Sequence, residues 1–182
     1  MAPARASRHI AYIALGSNLG DRAAHLRAAI AGLAKLGVVS RASSFYETAP
    51  VGSVTQPDFV NAVVELQTPL QPETLMMDLL RLEVLQGRDR ASSPPKGPRT
   101  LDLDLLSFDD LVMDTPLLTL PHPAIGQRAF VLVPLAEIAP QWTHPLSGKT
   151  VAQLIADLSQ ELNSCQGIVR KMEEARLPMQ FT

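Results

Sequence analysis

Apolar positions dominate the first segment of the chain that has the composition of a strand. The segment from His9 to Leu15 carries little charge and divides into two sides, with Ile10, Tyr12 and Ala14 on one and Ala11, Ile13 and Leu15 on the other. Successive side chains of a strand point to opposite faces of the sheet. A strand that is apolar on both faces is buried between neighbours. This pattern therefore predicts a central strand.

A turn and a helix are predicted after this strand. Gly16 to Gly20 form the turn, and Asp21 is a favourable N-cap residue. Apolar residues then recur at helical spacing, namely Leu26, Ala29, Ile30, Leu33 and Leu36. We expect the helix to end at Gly37 as a C′ glycine.

Two further strands are predicted from Val38 to Glu47 and from Asp58 to Thr68. Residues 48–57 separate them and are too many for a tight hairpin turn. Loops of this length in a compact domain are often functional. We therefore expect this loop to contribute to a binding site.

A second helix and a last strand complete the predicted core. Pro72 lies near the first turn of the helix, Gly87 ends it, and its apolar stripe is Leu75, Met76, Leu79 and Leu82. The order strand, helix, strand, strand, helix, strand is that of the ferredoxin-like βαββαβ fold. We expect an α+β protein with an antiparallel sheet, both helices on one face and the other face open. C-terminal additions follow, including an amphipathic helix from about Thr150, its cap, to Leu162.

Length and composition indicate one domain. The chain has 182 residues, 46% of them hydrophobic, which is enough for a substantial core. We expect a disordered lead over residues 1–8, one domain over 9–162 and a tail over 163–182. The net charge of -2 argues against nucleic-acid or membrane-surface binding. The single cysteine, Cys165, has no partner for an intrachain disulfide, which favours a reducing cytoplasm.

Two carboxylates alternate with leucines in the last predicted strand. In an extended strand Asp102 and Asp104 share one face, about 7 Å apart at their Cα atoms for a rise of about 3.3 Å per residue. Such a pair suits one or two magnesium ions whose remaining ligands are water and substrate phosphates. Alternating Leu and Asp is also typical of an ordinary half-solvated strand.

Cations cluster just before this strand. Between Gly87 and Arg99 the chain has Arg88, Arg90, Lys96 and Arg99 against a single acidic residue, Asp89. Arginine binds phosphate oxygens through two parallel hydrogen bonds. The combination favours a site for a polyphosphate and its metal ions.

Strand parity suggests partners for this site. Phe59 and Asn61 share a face of their strand and could lie on the same floor as Asp102 and Asp104. They would supply a stacking surface and a carboxamide beside the metal site. Parity alone leaves open that this is an ordinary polar face of the sheet.

Several motifs of the chain occur together in one known family. They are Ala14 to Gly20, Ser44 to Thr48, Gln56 to Ala62, Gly87-Arg88, Gly97 to Leu105 and Pro121-His122. From about residue 10 to residue 158 the chain resembles the 6-hydroxymethyl-7,8-dihydropterin pyrophosphokinase family of folate biosynthesis. The block from Gly97 to Asp104 is the most specific part of the resemblance.

The resemblance implies transfer of the β,γ-pyrophosphoryl unit of ATP to the hydroxymethyl group of the pterin, with release of AMP. It implies that Asp102 and Asp104 hold two magnesium ions and that Arg88 and Arg99 stabilise the transferred group. The further residues implied for ATP binding are Glu83, Arg90, Thr119, His122 and Arg128.

The resemblance also implies a pterin site and the partners of the enzyme. The loop contacts are Thr48, Pro50 and Val51, the polar edge meets Asn61, and the ring faces meet Phe59 and Phe130. A flat heterocycle with donors and acceptors on its edge needs aromatic walls and an amide. ATP and the pterin are the expected partners, and we expect a cytoplasmic monomer without nucleic acid or membrane.

Two other functions stay open at this point. A different two-metal nucleotidyl or phosphoryl transferase would use the same carboxylates. A ligand-binding module without catalysis is also compatible with a ferredoxin-like fold. The nucleotide product distinguishes the transferases, and a requirement for magnesium and ATP distinguishes the binding module.

Overall fold

The computed structural model describes residues 8–50, 55–89, 97–161 and 169–173. Its strands and helices follow in the order β1 (His9–Ser17), α1 (Arg22–Leu33), β2 (Val38–Ala42), β3 (Tyr46–Thr48), β4 (Phe59–Thr68), α2 (Pro72–Leu85), β5 (Asp102–Phe108), β6 (Met113–Asp114), β7 (Thr119–Leu120), α3 (Ala129–Ile138), α4 (Val151–Glu161) and β8 (Arg170–Lys171). A 3₁₀ turn over Ile125–Gln127 precedes α3.

The main sheet is antiparallel and has the order β5-β1-β4-β3-β8, with β2 also paired to β4. If β2 and β3 are counted as one interrupted strand, strands β1 to β5 with helices α1 and α2 give the predicted ferredoxin-like order. β1 lies between β4 and β5, as its two apolar faces predict. The fold class expected from the sequence is confirmed.

The single strand predicted over residues 38–47 is wrong in one respect, because it is divided. Its register against β4 shifts between Val39 and Arg41, and shifts again between Ala42 and Tyr46. At the second shift Ser43 replaces regular pairing, since its amide donates to the Val63 carbonyl at 2.9 Å and its hydroxyl accepts from the Val63 amide at 3.0 Å. The interruption bends the strand while keeping its backbone groups bonded.

The first core cluster lies between the sheet and helices α1 and α2. Both helices pack on the same face, as predicted, and the leucines of β5 contribute to this face together with β1 and β4. The buried apolar residues that α1 and α2 contribute to this cluster are Leu26, Ala29, Ile30, Leu33, Leu75 and Leu79. The alternation of Leu and Asp along β5 is thus explained by a strand with one buried face.

The opposite face of the sheet is not open along its length, which corrects the expectation. Helix α3 packs on β4 around Val63, and α4 packs on α3 through Leu154 and Leu158. The sequence of α3 is apolar on nearly all sides, so it lacks the periodicity that identifies a surface helix. On this face a cavity lies near the ends of β1, β4 and β5, and it carries the polar residues discussed below.

Most helix ends follow the sequence signals. The Asp21 side chain accepts a hydrogen bond from the Ala24 amide at 2.9 Å, Gly87 has a φ of 82°, and Thr150 caps α4 by accepting from the Gln153 amide at 3.3 Å. Gly37 is different, because α1 already ends at Leu33. A Cβ atom at Gly37 would lie 2.3 Å from the Gln67 carbonyl oxygen, so close backbone approach, not a left-handed cap, explains this glycine.

Parts of the predicted lead and tail lie outside the described residues, namely 1–7, 162–168 and 174–182. Within the segment expected to be a tail, β8 pairs with β3, and the Met172 amide donates to the Phe45 carbonyl at 2.9 Å.

Candidate functional site

The site is a cavity of about 510 Å³ over the neighbouring ends of β1, β4 and β5. Gly16 of β1 is paired with Asn61 on β4 and with Asp102 on β5. The lining includes Phe59, Asn61, Asp102 and Asp104, so the shared floor expected from strand parity is confirmed. A cavity of this size with converging polar groups is typical of a small-molecule site.

Three arginines surround the two carboxylates. Arg88 and Arg99 both pair with Asp102, the latter at 2.9 Å between Nη2 and Oδ2. Arg128 pairs with Asp104 at 2.9 Å. The side chains of Asp102 and Asp104 are 20% and 31% exposed, so both carboxylates remain accessible to a ligand.

Glu83 lies beneath this group and not in the cavity lining. Its side chain, which is 1% exposed, pairs with Arg88, which is 13% exposed. The same carboxylate accepts a hydrogen bond from the Leu103 amide, between the two aspartates, at 2.8 Å. Glu83 therefore fixes Arg88 and strand β5 relative to each other, and a buried carboxylate with these partners is satisfied.

Arg99 has one side-chain group without a partner. Among the described residues its buried Nε atom has no acceptor. Its guanidinium group lies over the ring of Phe59, 5.1 Å from the centroid. A buried N–H donor that lacks an acceptor costs free energy.

His122 is held by the backbone next to Asp104. Its amide donates to the Leu106 carbonyl at 2.8 Å, and its Nδ1 atom accepts from the Ala124 amide at 3.1 Å. The proton of the neutral ring is therefore on Nε2, which lies 3.9 Å from Asp104 Oδ2. Burial lowers the pKa of His122 below its ordinary value, and Arg128 adds to this, although Asp104 acts in the opposite direction. The ring is a neutral N–H donor near pH 7.

Thr119, predicted for ATP binding, lies on β7 outside the cavity lining. Its hydroxyl donates to Asp114 across the β6–β7 pair at 2.8 Å. Arg90, also predicted for ATP binding, lies outside the described residues.

Four of the residues predicted for the pterin line the cavity, namely Thr48, Phe59, Asn61 and Phe130. Asn61 is buried and its Nδ2 donates to the Thr48 hydroxyl at 2.7 Å. Phe59 and Phe130 line the cavity, the latter with Arg128 over its ring at 5.7 Å. Pro50 follows the lining residue Ala49, whereas Val51 lies outside the described residues.

Several lining residues are absent from the sequence prediction. They are Ala14, Leu15, Gly16, Ala49, Gln56, Ala124, Gln127 and Leu158. Ala14 and Gly16 could have been found from parity, because they share a face of β1 beside the faces of Asn61 and Asp102. Leu158 and Gln127 could not, because only the packing of the C-terminal segment brings them to the floor.

The described residues contain no group of three or more His, Cys, Asp or Glu side chains that could hold a metal ion by themselves. The site instead offers two carboxylates beside cations. Magnesium is commonly bound by one or two carboxylates together with substrate phosphates. The donor set fits a magnesium ion that arrives with a phosphate ligand.

In the described part of the chain, none of the helices has the length and apolar character needed to cross a bilayer.

Comparisons with known proteins identify the relatives of the chain. A family model described as 7,8-dihydro-6-hydroxymethylpterin-pyrophosphokinase (HPPK) matches residues 12–140. The 2-amino-4-hydroxy-6-hydroxymethyldihydropteridine pyrophosphokinase of Synechocystis sp. is 47% identical over 81% of this chain and 75% of its own length. The enzyme of the same name from Bacillus subtilis is 47% identical over 73% of this chain and 80% of its own. That from Methylorubrum extorquens is 42% identical over 81% and 92%.

Solved structures agree in fold. Wild-type Plasmodium falciparum HPPK-DHPS matches with a TM-score of 0.66 at 15% identity, over 87% of this chain and 47% of its own. An HPPK-DHPS in complex with substrates matches with a TM-score of 0.67 at 14% identity, over 85% and 44%. The chain thus spans about half the length of those solved chains. From its match to the family model and to relatives over most of their length, the chain belongs to the 7,8-dihydro-6-hydroxymethylpterin-pyrophosphokinase family.

Proposed function

We propose that Asp102 and Asp104 hold two magnesium ions in the active site of this ATP-dependent pyrophosphokinase of folate biosynthesis. The enzyme transfers pyrophosphate from ATP to 6-hydroxymethyl-7,8-dihydropterin, giving the pterin diphosphate and AMP. The observation that carries the residue assignment is the meeting of two accessible carboxylates, two arginines, an amide and two aromatic rings in one cavity. A third arginine, Arg88, pairs with Asp102 from outside the cavity lining.

The arrangement of charge supports polyphosphate binding. Asp102 has two arginine partners, Arg88 and Arg99, and Asp104 has Arg128. A polyphosphate that enters with magnesium supplies anions to the arginines and cations to the aspartates, so both sets of charges keep partners. Bound magnesium supplies neutralisation of phosphate charge and stabilisation of the entering and leaving oxygens.

Arg88 and Arg99 are assigned to the transferred pyrophosphoryl group. Both pair with Asp102, and Arg99 also lines the cavity. Cations that meet charge developing during transfer raise kcat more than they raise substrate affinity. Glu83 acts through Arg88, because it holds that guanidinium group without lining the cavity.

The remaining ATP contacts are assigned to Arg128 and His122, with Thr119 and Arg90 retained as predictions from the resemblance. Arg128 provides charge beside Asp104, and the neutral His122 provides an N–H donor at Nε2. Together they would hold phosphate groups outside the transferred unit.

The pterin is assigned to the slot between Phe59 and Phe130. Asn61 and Thr48, already joined by a hydrogen bond of 2.7 Å, form its polar edge, with Pro50 and Val51 in the adjoining loop. An arginine lies over each aromatic ring, so the walls of the pterin slot contact the groups that bind phosphate. This contact would place the hydroxymethyl group next to the phosphates.

The enzyme is further proposed to act as a monomer in the cytoplasm. The single cysteine of the sequence is consistent with a reducing compartment.

Resolution of the nucleotide products tests this assignment. With ATP, magnesium and 6-hydroxymethyl-7,8-dihydropterin, we expect AMP to form only when the pterin is present. Asp102→Asn and Asp104→Asn are each expected to lower kcat by at least about 100-fold, in the range of a lost electrostatic contact to the transition state. Asp110→Asn, at an exposed position outside the cavity lining, is the matched control.

The outcomes separate the candidate functions. ADP as the product would indicate a simple kinase, and pterin binding that ignores ATP and magnesium would indicate a binding module. Full activity in either Asp102→Asn or Asp104→Asn would refute the metal assignment.

A further inference from the structure

The loop from Gly16 to Gly20 contains a buried asparagine whose side chain is fully bonded. Asn18 is 2% exposed. Its Oδ1 accepts from the Arg99 amide at 2.8 Å, and its own amide donates to the Arg99 carbonyl at 3.1 Å. Its Nδ2 donates to Gln56 Oε1 at 3.0 Å and to the Pro57 carbonyl at 3.1 Å. One carboxamide therefore joins three segments that are distant in sequence.

These segments belong to different parts of the site. The Arg99 backbone leads to a phosphate-binding guanidinium group and, three residues later, to Asp102. Gln56 lines the cavity, and the segment that contains it leads directly into Phe59. Asn18 itself does not line the cavity, but its hydrogen bonds connect the segment that leads to the phosphate subsite with the segment that leads to the pterin subsite.

We propose that Asn18 is a positioning residue that couples the pterin subsite to the phosphate subsite. This inference rests on the residue assignment of the proposed function. Pterin binding that orders the 56–57 segment would fix the Asn18 amide, and Oδ1 of the same amide would then fix Arg99. The coupling acts in both directions, because linkage between two sites is reciprocal.

The chemistry of the side chain accounts for asparagine at this position. An amide offers a donor toward Pro57 and an acceptor toward Arg99 at the same time. Aspartate keeps the acceptor but places a carboxylate against the Pro57 carbonyl oxygen, and alanine removes both bonds. Asn18→Asp therefore breaks the link to Pro57 while keeping the acceptor for the Arg99 amide, whereas Asn18→Ala breaks both links.

Arg22 provides a matched control. It donates to the Asp58 carbonyl at 2.8 Å and pairs with Glu47 at 2.8 Å, so it anchors the same loop. None of the contacts described for Arg22 reaches Arg99. Arg22→Ala is expected to loosen the loop without cutting the connection between the subsites.

The test measures pterin affinity by calorimetry, with and without a non-hydrolysable ATP analogue and magnesium. We expect the analogue to change the wild-type pterin Kd by at least about fivefold, the lower end of typical coupling. In Asn18→Ala and Asn18→Asp the ratio of the two Kd values is expected to fall to within about twofold of one. Arg22→Ala should weaken pterin binding in both conditions and keep the wild-type ratio.

Each other outcome overturns the inference. A wild-type ratio of one would show that the two subsites are not coupled. A wild-type ratio kept by either Asn18 variant would show that Asn18 does not carry the coupling. Loss of the ratio in Arg22→Ala as well would show that loop anchoring, not the link to Arg99, is responsible. AMP formation by the wild type is measured in parallel. If AMP forms but the ratio of the two pterin Kd values contradicts the expectation, only the coupling through Asn18 is refuted. Absence of AMP would refute the proposed function and the inference together.

Discussion

The lack of a side chain at Gly16 is as important at the floor of the site as the charged residues are. Gly16 has neighbours from both adjacent strands, and a Cβ atom there would lie 3.1 Å from Asn61 Oδ1 and 3.9 Å from Asp102 Cβ. Its φ is not among the positive values, so available space and not backbone freedom requires glycine. From the sequence Gly16 was predicted only as part of a turn, whereas in the structure it forms the floor between the Asn61 amide and the Asp102 carboxylate.

A substitution at this floor has a specific expected effect. Gly16→Ala should push the Asn61 amide out of place, and overpacking of this kind costs about 1–3 kcal/mol. We expect the KM for the pterin to rise by roughly tenfold, which corresponds to about 1.4 kcal/mol, with little change in the KM for ATP. Steady-state kinetics with each substrate varied in turn would show this.

Gly126→Ala is the control for this substitution. A Cβ atom at Gly126 meets only Leu154 at 3.5 Å, an ordinary contact. Equal pterin KM values for Gly16→Ala and the wild type would mean that Asn61 does not contact the pterin edge as assigned.

Individual site residues were predictable where strand parity applies. Asp102, Asp104, Phe59 and Asn61 come to one floor because alternation along β4 and β5 fixes their faces. Glu83 was expected from the family resemblance, but its burial was not. The helical pattern of α2 contains no sign that the Glu83 carboxylate accepts a hydrogen bond from the Leu103 amide. That contact depends on tertiary packing.

Among the elements, those with clear periodicity were predicted and those without it were not. Strands β1, β4 and β5 and helices α1, α2 and α4 follow period-2 or helical patterns. The division between β2 and β3 depends on a hydroxyl of Ser43 bonding to Val63, which no local pattern encodes. Helix α3 is apolar on nearly every side because the sheet and α4 cover it, and so its sequence carries no amphipathic signal.

One carboxylate ties α3 to the edge of the sheet. Glu137 accepts from the Ser44 amide at 2.9 Å, the Ser44 hydroxyl at 2.8 Å, the Tyr46 hydroxyl at 2.9 Å and Lys171 at 3.1 Å. Burial acts to raise the pKa of Glu137, but these hydrogen bonds outweigh it and lower the pKa below its ordinary value. Burial and the bond to Glu137 raise the pKa of Tyr46 to about 12, which keeps its hydroxyl a donor.

The stability supplied by Glu137 should therefore depend on pH. Because its folded pKa lies below the unfolded value of 4.5, the stabilisation is present above that value and is lost as the pH falls through the folded pKa. Glu137→Gln should lower the free energy of unfolding by about 1–3 kcal/mol at pH 7. The difference from the wild type should shrink at pH 3, as measured by urea denaturation at both pH values.

Glu73→Gln, in the exposed first turn of α2, controls for the loss of one negative charge. A destabilisation by Glu137→Gln that is the same at pH 7 and pH 3 would show that packing of α3, and not the charged form of Glu137, is responsible.

At the scale of the whole molecule, the fold brings a complete set of charges together before any ligand is bound. The sheet supplies the two aspartates, and the arginines come from the segment between α2 and β5 and from the residue before α3. This convergence was predictable for Arg88 and Arg99, which precede β5 closely in sequence. For Arg128 it came from the family resemblance, because its position depends on the packing of α3. Residues 51–54 and 90–96 lie outside the described residues.

The same convergence predicts which ligand stabilises the molecule. Magnesium alone finds two carboxylates that already have arginine partners, so it should bind weakly and shift Tm by less than about 1 °C, since weak binding adds little stability. Magnesium with a non-hydrolysable ATP analogue at about 100 times its Kd should add about 2.7 kcal/mol. For a domain of this size that corresponds to roughly 5–10 °C in Tm.

Differential scanning fluorimetry measures both shifts, and in Asp102→Asn the part that depends on magnesium should disappear while the analogue with EDTA behaves as in the wild type. A full Tm shift from magnesium alone would mean that the protein holds the metal without the nucleotide. The aspartates would then not need the substrate phosphates to release them from their arginine partners.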